Sequence, residues 1–121
     1  MYNEKVMEIF KNPRNVGEME NPSAVGSVGN ASCGDIMKIF LRIENEKIVD
    51  ASFLTFGCAA AIVTSSIATE MIKGLSVEEA LNVTNKQVID KLEGLPPQKI
   101  HCSVLAEEAI KAAIDDYKSK K

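Results

Sequence analysis

Residues 37–56, MKIFLRIENEKIVDASFLTF, decide the fold that the sequence predicts. The first seven alternate apolar side chains with positions that include two basic residues, which is the period of a strand with one buried face. The polar residues 44–47 predict a turn. The second half is another β-rich run, with Val49, Ala51 and Phe53 expected on one face. The two runs together predict an antiparallel β-hairpin.

After the hairpin the apolar period changes from two to about 3.6. Residues 59–73 are expected to form a helix that ends at Gly74. Two short helices should follow, because residues 76–79 (SVEE) and 84–87 (TNKQ) both fit the capping-box pattern. Gly94 is expected to end the second of them. Ser103 is expected to cap a last helix, with Cys102 just before it. The apolar face of that last helix would be Ala106, Ile110, Ala113, Ile114 and Tyr117.

The N-terminal part of the chain predicts less regular structure. Asn3 can cap a short amphipathic helix that ends before Asn12-Pro13, with Val6, Ile9 and Phe10 on one face. Residues 12–32 are rich in Asn, Pro, Gly and Ser and predict a long loop. We expect one short strand within it, around residues 27–30.

Composition limits the class of protein. The 121 residues are 45% apolar, which fits a single domain over residues 1–121 with its own core. A net charge of -3, without a basic cluster beyond the last few residues, argues against nucleic acid as a partner. No apolar run is long enough to cross a bilayer, so we expect no membrane association and a cytoplasmic location. An odd number of cysteines in a reducing compartment favours ligands or nucleophiles over disulfides.

The three cysteines all fall at predicted element ends. Cys33 precedes a strand, Cys58 begins a helix, and Cys102 precedes the last helix beside the only histidine, His101. If the helices cover one face of the sheet, these ends could meet, with Asp35 as a fifth potential ligand. A helix N-terminus favours thiolate, so Cys58 and Cys102 would be available to a metal or as nucleophiles.

Other interpretations of these residues stay open at this point. Any one cysteine could be a buried apolar side chain, and Asp35 could cap a turn. The set could form a closed structural zinc site of three cysteines with Asp35 or His101. A thiol enzyme using Cys102 with His101 as base is less favoured, because adjacent side chains in an extended segment point apart.

Three segments resemble the cysteine motifs of the IscU/NifU-type iron-sulfur cluster assembly scaffolds. They are residues 32–35 (SCGD), 56–59 (FGCA) and 100–107 (IHCSVLAE), and the similarity extends along essentially the whole chain. The sequence departs from the family where Ala59 and Ala60 replace glycine and serine. A further segment is similar to the LPPVK motif that an Hsp70-type chaperone binds in many members, with Gln98 in place of valine: Leu95, Pro96, Pro97, Gln98 and Lys99.

The resemblance implies an α/β (α+β) fold, a three-stranded antiparallel sheet with helices packed on one face. It implies a non-enzymatic scaffold on which a 2Fe-2S cluster is assembled and passed on. Its partners would be a cysteine desulfurase, a ferredoxin-like electron donor and apo iron-sulfur acceptors, and the protein would be a monomer or homodimer. Zn²⁺ could occupy the cluster-free form. The ligands would be Cys33, Cys58 and Cys102 with Asp35 or His101, and Cys102 is the candidate persulfide acceptor.

Overall fold

The structure is a computed structural model that describes residues 4–30, 35–57, 59–91 and 100–119. Within these ranges the side chains of a few residues lie outside the description: Asn30, Asp35, Ala59, Ala60, Asn85 and residues 100–105. The expected cap at Asn3, the helix end at Gly94 and the chaperone-type segment 95–99 fall outside the described residues.

Three strands form one antiparallel sheet in the order β1-β2-β3: β1 is Ala24–Asn30, β2 is Asp35–Glu44 and β3 is Lys47–Phe56. The predicted hairpin is therefore confirmed as β2 and β3, with residues 45–46 at the turn. Both turn residues have positive φ, 54° and 64°, as a tight connection of this kind requires. We call this end of the sheet the turn end, and the opposite end, formed by Asn30, Asp35, Ile36 and Phe56, the open end.

The first strand is longer than the sequence predicted. It pairs with β2 from Ala24, opposite Leu41, to Asn30, opposite Asp35, and does not begin near residue 27. Glycine and alanine carry little β propensity, so the sequence signal for this strand is weak. The strand forms because it pairs with β2 and is covered by a helix, and both are tertiary effects.

The register of β3 corrects the predicted buried face. Arg42 pairs with Asp50 and Ile43 with Ile48, so Val49 has no partner and forms a β-bulge. The bulge shifts the alternation by one residue. Ile48, Ala51 and Phe53 consequently face the core, and Val49 is 49% exposed.

Five helices complete the described chain: α1 Glu4–Lys11, α2 Ala59–Ile72, α3 Val77–Ala80, α4 Asn85–Lys91 and α5 Ile100–Ser119. Both predicted capping boxes are confirmed, at Ser76 with Glu79 and at Thr84 with Gln87. Gly74 ends the α2 region with φ +87°, a conformation that glycine adopts without strain.

The core lies between one face of the sheet and the helices α2 and α5. Its largest fully buried side chains include Phe53, Met37 and Ile39 from the sheet and Ile72 and Ile110 from the helices. Helix α1 contributes Val6 and Ile9 to the core, while Phe10, which was expected on the same face, is 39% exposed. The predicted architecture of a three-stranded antiparallel sheet with helices is confirmed.

Helix α5 lies unusually close to β1. A Cβ atom at Gly26 would come within 2.4 Å of the carbonyl oxygen of Ala109 and of the backbone nitrogen of Ala113. Nearby, the backbone N–H of Val25 donates to Asp116 Oδ2 at 3.0 Å. Only glycine allows this approach, so Gly26 fixes where α5 lies along the sheet.

Candidate functional site

Two of the candidate segments adjoin paired strand ends at the open end. Asp35 is the first residue of β2 and pairs with Asn30, and Cys33 belongs to residues 31–34 between them, which lie outside the described residues. Phe56, the last residue of β3, pairs with Ile36. Cys58 follows two residues later and precedes α2, which begins at Ala59. Adjacent strands of the sheet therefore carry Asp35 and the approaches to Cys33 and Cys58 at the same end.

The first turn of α5 lies at this end too. Helix α5 runs antiparallel to β1, since Asp116 binds Val25 while Ala109 and Ala113 adjoin Gly26. From Gly26 to Asn30 the strand advances about 13 Å, a distance that eight or nine helical residues cover. Counted back from the Ala109–Ala113 turn, this length reaches the helical turn that contains His101 and Cys102. The backbone therefore places the ends that carry all three cysteine motifs at the open end.

The structure corrects the predicted start of the last helix. Helix α5 begins at Ile100, so His101, Cys102 and Ser103 are helical, and Ser103 is not its N-cap. The extended-segment argument against a His101–Cys102 base and nucleophile pair is therefore wrong. A His101–Cys102 base and nucleophile pair is still disfavoured, because residues i and i+1 of a helix do not face each other.

Side-chain geometry for Cys33, Cys58, Cys102, Asp35 and His101 lies outside the described residues. Among the side chains that the structure does describe, no group of three or more His, Cys, Asp or Glu residues could hold a metal ion. The candidate ligands that the sequence predicts are those of the segments that adjoin the open end. The donors there are soft thiolates with one carboxylate and one imidazole, which suit iron or zinc and not Mg²⁺ or Ca²⁺.

An exposed apolar pair borders the open end, and sequence reasoning did not identify it. Ile36 is 51% and Phe56 is 69% exposed, and they lie directly opposite each other on adjacent strands, on the sheet face away from the helices. Lys38 beside them is also exposed. The available signal was the placement of Ile36 out of phase with the alternating apolar residues that begin at Met37.

A surface cavity lies elsewhere on the described part of the chain. Its volume is about 890 Å³, and it lies between α1, the C-terminal half of α2 and α4. Charged residues of both signs line it, among them Glu8, Arg14, Glu70 and Lys91. Because α2 begins at the open end and this cavity adjoins its far half, the cavity is separate from the candidate site.

No helix in the described ranges combines the length and apolar character needed to cross a bilayer.

Comparison with known proteins gives consistent results. A family model described as "NifU-like N terminal domain" matches residues 1–121. The iron-sulfur cluster assembly scaffold protein IscU 1 of Archaeoglobus fulgidus is 55% identical over 117 residues, which covers 97% of this chain and 76% of that protein. IscU of Escherichia coli (strain K12) is 51% identical over 124 residues, which covers 99% and 96%.

A solved structure supports the fold independently. The N-terminal part of a nitrogen-fixing NifU-like protein from Brucella abortus superposes with a TM-score of 0.78 at 19% sequence identity, covering 98% of this chain and 95% of that one. On the full-length family match and the identity to IscU proteins, the chain belongs to the NifU-like N terminal domain family.

Proposed function

We propose that the protein is a scaffold on which an iron-sulfur cluster is assembled before it passes to an acceptor protein. The observation that carries this proposal is that the strand and helix ends adjoining the three cysteine motifs lie at one end of the sheet, beside an exposed apolar pair. The similarity to proteins named as iron-sulfur cluster assembly scaffolds supports it. A binding site at the end of a sheet is accessible to a partner, as assembly and release both require.

In this proposal the cluster is cargo and the cysteines are its ligands. Cys33, Cys58 and Cys102 supply thiolates, which bind iron strongly, and Asp35 or His101 completes the set. A 2Fe-2S cluster fits a site with four ligands. The role is non-enzymatic, since the chain provides ligands and position while the desulfurase and the electron donor supply the chemistry.

Sulfur delivery gives Cys102 a separate role. A cysteine desulfurase would carry a persulfide, and the Cys102 thiolate would attack its terminal sulfur and release the desulfurase thiolate. Each persulfide sulfur must then gain two electrons to become sulfide. A ferredoxin-like donor, together with oxidation of ferrous iron, would supply them. The first turn of α5 favours the thiolate form of Cys102 that this attack needs.

The partners proposed here need a surface next to the cysteines. Ile36 and Phe56 offer one, because they expose adjacent apolar side chains that a partner protein could bury. We assign this surface to the desulfurase or to apo-acceptors. Residues 95–99, outside the described part of the chain, remain a proposed segment for an Hsp70-type chaperone.

Anaerobic reconstitution tests the proposal. Protein supplied with ferrous iron, cysteine, a desulfurase and a reductant should develop the visible absorption of an iron-sulfur cluster, and the colour should move to an apo-ferredoxin added later. Mass spectrometry of a parallel reaction without iron should place the extra sulfur chiefly on Cys102. Protein that retains zinc and forms no cluster under these conditions would instead be a structural zinc module.

Asp35 has its own place in the proposal. A carboxylate is a hard ligand beside soft thiolates, so a position held by Asp35 would exchange more readily than a fourth cysteine. We therefore expect Asp35→Ala to assemble a cluster but to transfer it more slowly to an apo-ferredoxin when both proteins are loaded equally. Transfer at the wild-type rate or faster, or failure to assemble, would remove this release role from Asp35.

A further inference from the structure

Residues 14–17, which we call the strap, are bound to the strand that leads to Cys58. Val16 forms a parallel bridge with Phe53 of β3. The Gly17 N–H donates to the Phe53 carbonyl at 2.8 Å, and the Phe53 N–H donates to the Asn15 carbonyl at 2.8 Å. The strap therefore pairs with the edge of β3 at Phe53, three residues before that strand ends.

The same segment is bound to the helix that follows Cys58. The Arg14 N–H donates to Ser66 Oγ at 2.8 Å, and Ser66 Oγ donates to the Arg14 carbonyl at 3.2 Å. Ser66 is fully buried in α2. A buried hydroxyl paired in both directions is costly to uncouple, because either lost partner leaves a polar group unsatisfied away from water.

Asn15 lies at the centre of the strap and makes most of its side-chain contacts. Its Nδ2 donates to Thr69 Oγ1 at 3.1 Å and to Glu70 Oε2 at 3.0 Å, and its Oδ1 accepts from Lys73 Nζ. Its φ is +65°, a conformation that asparagine tolerates better than most residues. An amide is suited to this position because it donates to α2 on one side and accepts from Lys73 on the other.

Two further contacts join β3 to α2 directly. Thr55 and Ser65 share a hydrogen bond of 2.7 Å between their hydroxyls, close to the junction. Lys73 Nζ lies 3.6 Å from Asp50 Oδ1, near the other end of the two elements. The strap occupies the middle of this series, with β3 on one side of it and α2 on the other.

We propose that the strap is a clamp that holds β3 against α2 and so fixes the two element ends on either side of residue 58, which we call the junction, and that Asn15 is its positioning residue. Resting on the proposed function, the inference adds that this fixed junction presents Cys58 as a preorganised ligand. Within the described part of the chain the hydrogen bonds of the strap go to β3 and α2 and not to β1 or α5, so a loosened strap should affect Cys58 before Cys33 or Cys102. The effect should therefore be specific to one cysteine.

The test compares Asn15→Gly with Asn45→Gly. Glycine keeps the positive φ at both positions and removes only the side chain. Asn45 lies in the turn between β2 and β3, and the structure records no hydrogen bond for its side chain, so it is a matched control. Metal-free proteins are treated with iodoacetamide, and mass spectrometry follows the alkylation of each cysteine with time.

We expect Asn15→Gly to speed alkylation of Cys58 by about fivefold relative to Cys33 and Cys102, the population change that loss of one net hydrogen bond produces. Asn45→Gly should leave the ratios unchanged. Equal acceleration at all three cysteines, or no change at Cys58, would overturn the clamp. If Asn15→Gly does not fold, Asn15→Asp removes the amide that donates to Thr69 and Glu70, keeps the acceptor for Lys73, and is judged by the same criteria.

A second readout links the clamp to cluster binding. After reconstitution, Asn15→Gly should lose its visible absorption faster than Asn45→Gly at equal initial loading. Wild-type protein that forms no cluster would count against the proposed function alone, because the alkylation rates are measured without iron and still decide whether the clamp exists. Equal cluster lifetimes in the two variants would overturn the inference that the clamp positions Cys58 as a ligand.

Discussion

The turn end and the open end of the sheet are built differently. At the turn end, backbone hydrogen bonds join the sheet to the segment after α2: Gly74 N–H to the Ile48 carbonyl at 2.7 Å, Ile48 N–H to Leu75 at 2.8 Å, and Val77 N–H to Glu46 at 2.9 Å. At the open end, the exposed pair Ile36 and Phe56 adjoins the segments that carry the cysteines. The turn end is hydrogen-bonded to the segment after α2, and the open end exposes two apolar side chains to solvent.

The two ends of the sheet therefore have different roles. The turn end contributes to the stability of the fold, and the open end is available for binding. Buried or paired backbone groups at the turn end cannot be uncoupled without an unsatisfied donor or acceptor. At the open end, the exposed parts of Ile36 and Phe56 gain no burial from folding and are available for another molecule to cover. Substitutions at the two ends should therefore change different measured quantities.

The largest expected effect is at the open end and on cluster binding. Cys33→Ser, Cys58→Ser and Cys102→Ser should each prevent formation of a stable cluster, because a hydroxyl is a poor replacement for a thiolate ligand to iron. Unfolding in urea should differ little from wild type. The measurement is visible absorption after reconstitution beside the denaturation midpoint, and wild-type cluster yield and lifetime in any variant would remove that cysteine from the site.

The next effect concerns the contact that sets the position of α5. Gly26→Ala places a methyl group 2.4 Å from backbone atoms of Ala109 and Ala113, so the helix must shift from β1. We expect a loss of roughly 3 kcal/mol in the free energy of unfolding, the upper part of the usual range for overpacking. Ser27→Ala, at an exposed neighbouring position, should be nearly neutral in the same urea titration. Equal midpoints for the two variants would mean that α5 is not held at Gly26.

The sequence predicted the elements with strong local signals and missed what depends on tertiary packing. The hairpin, both capping boxes and the end at Gly74 follow from local pattern and turn chemistry, and all are confirmed. The bulge at Val49 could not be predicted, because a β-rich run has the same character whether or not one of its residues is left unpaired.

The sequence predicted the candidate site only in outline, because the arrangement of its segments also depends on tertiary packing. That the cysteines fall at element ends is visible in the sequence, but which ends meet depends on the sheet register and on the Gly26 contact. The start of α5 at Ile100 was missed, because Ser103 offered a local cap signal that the structure does not use. The strap was read only as a loop, since its partners Ser66 and Thr69 are more than 50 residues away in the chain.

A smaller effect should distinguish the exposed apolar residues of the two ends. Phe56→Ser should slow sulfur transfer from the desulfurase or cluster transfer to an acceptor by about fivefold, because truncating an apolar interface anchor typically costs about 1 kcal/mol or more. Val49→Ser changes a residue that is 49% exposed near the turn end and should leave both rates unchanged. Similar slowing in the two variants would argue against an interface at the open end.

The smallest expected effect is a pH dependence at the turn end. In the capping box of α3, the Ser76 N–H donates to Glu79 Oε1 at 3.0 Å, and Ser76 Oγ accepts from the Glu79 N–H at 3.1 Å. The hydrogen bond from the Ser76 backbone, followed by that from its side chain, lowers the pKa of Glu79 below its ordinary value.

Because the folded-state pKa is the lower one, the unfolded chain binds more protons in the window between the two values, and stability falls as pH decreases through it. The contribution of the charge is therefore present at neutral pH and lost in acid. Glu79→Gln keeps an acceptor for Ser76 but cannot ionise, so its small deficit in urea midpoint at neutral pH should vanish below the folded-state pKa. Glu108→Gln removes the same charge from an exposed site on α5 outside any capping box. A deficit for Glu79→Gln that persists unchanged into acid, or that Glu108→Gln reproduces, would show that the capping carboxylate does not contribute through its charge.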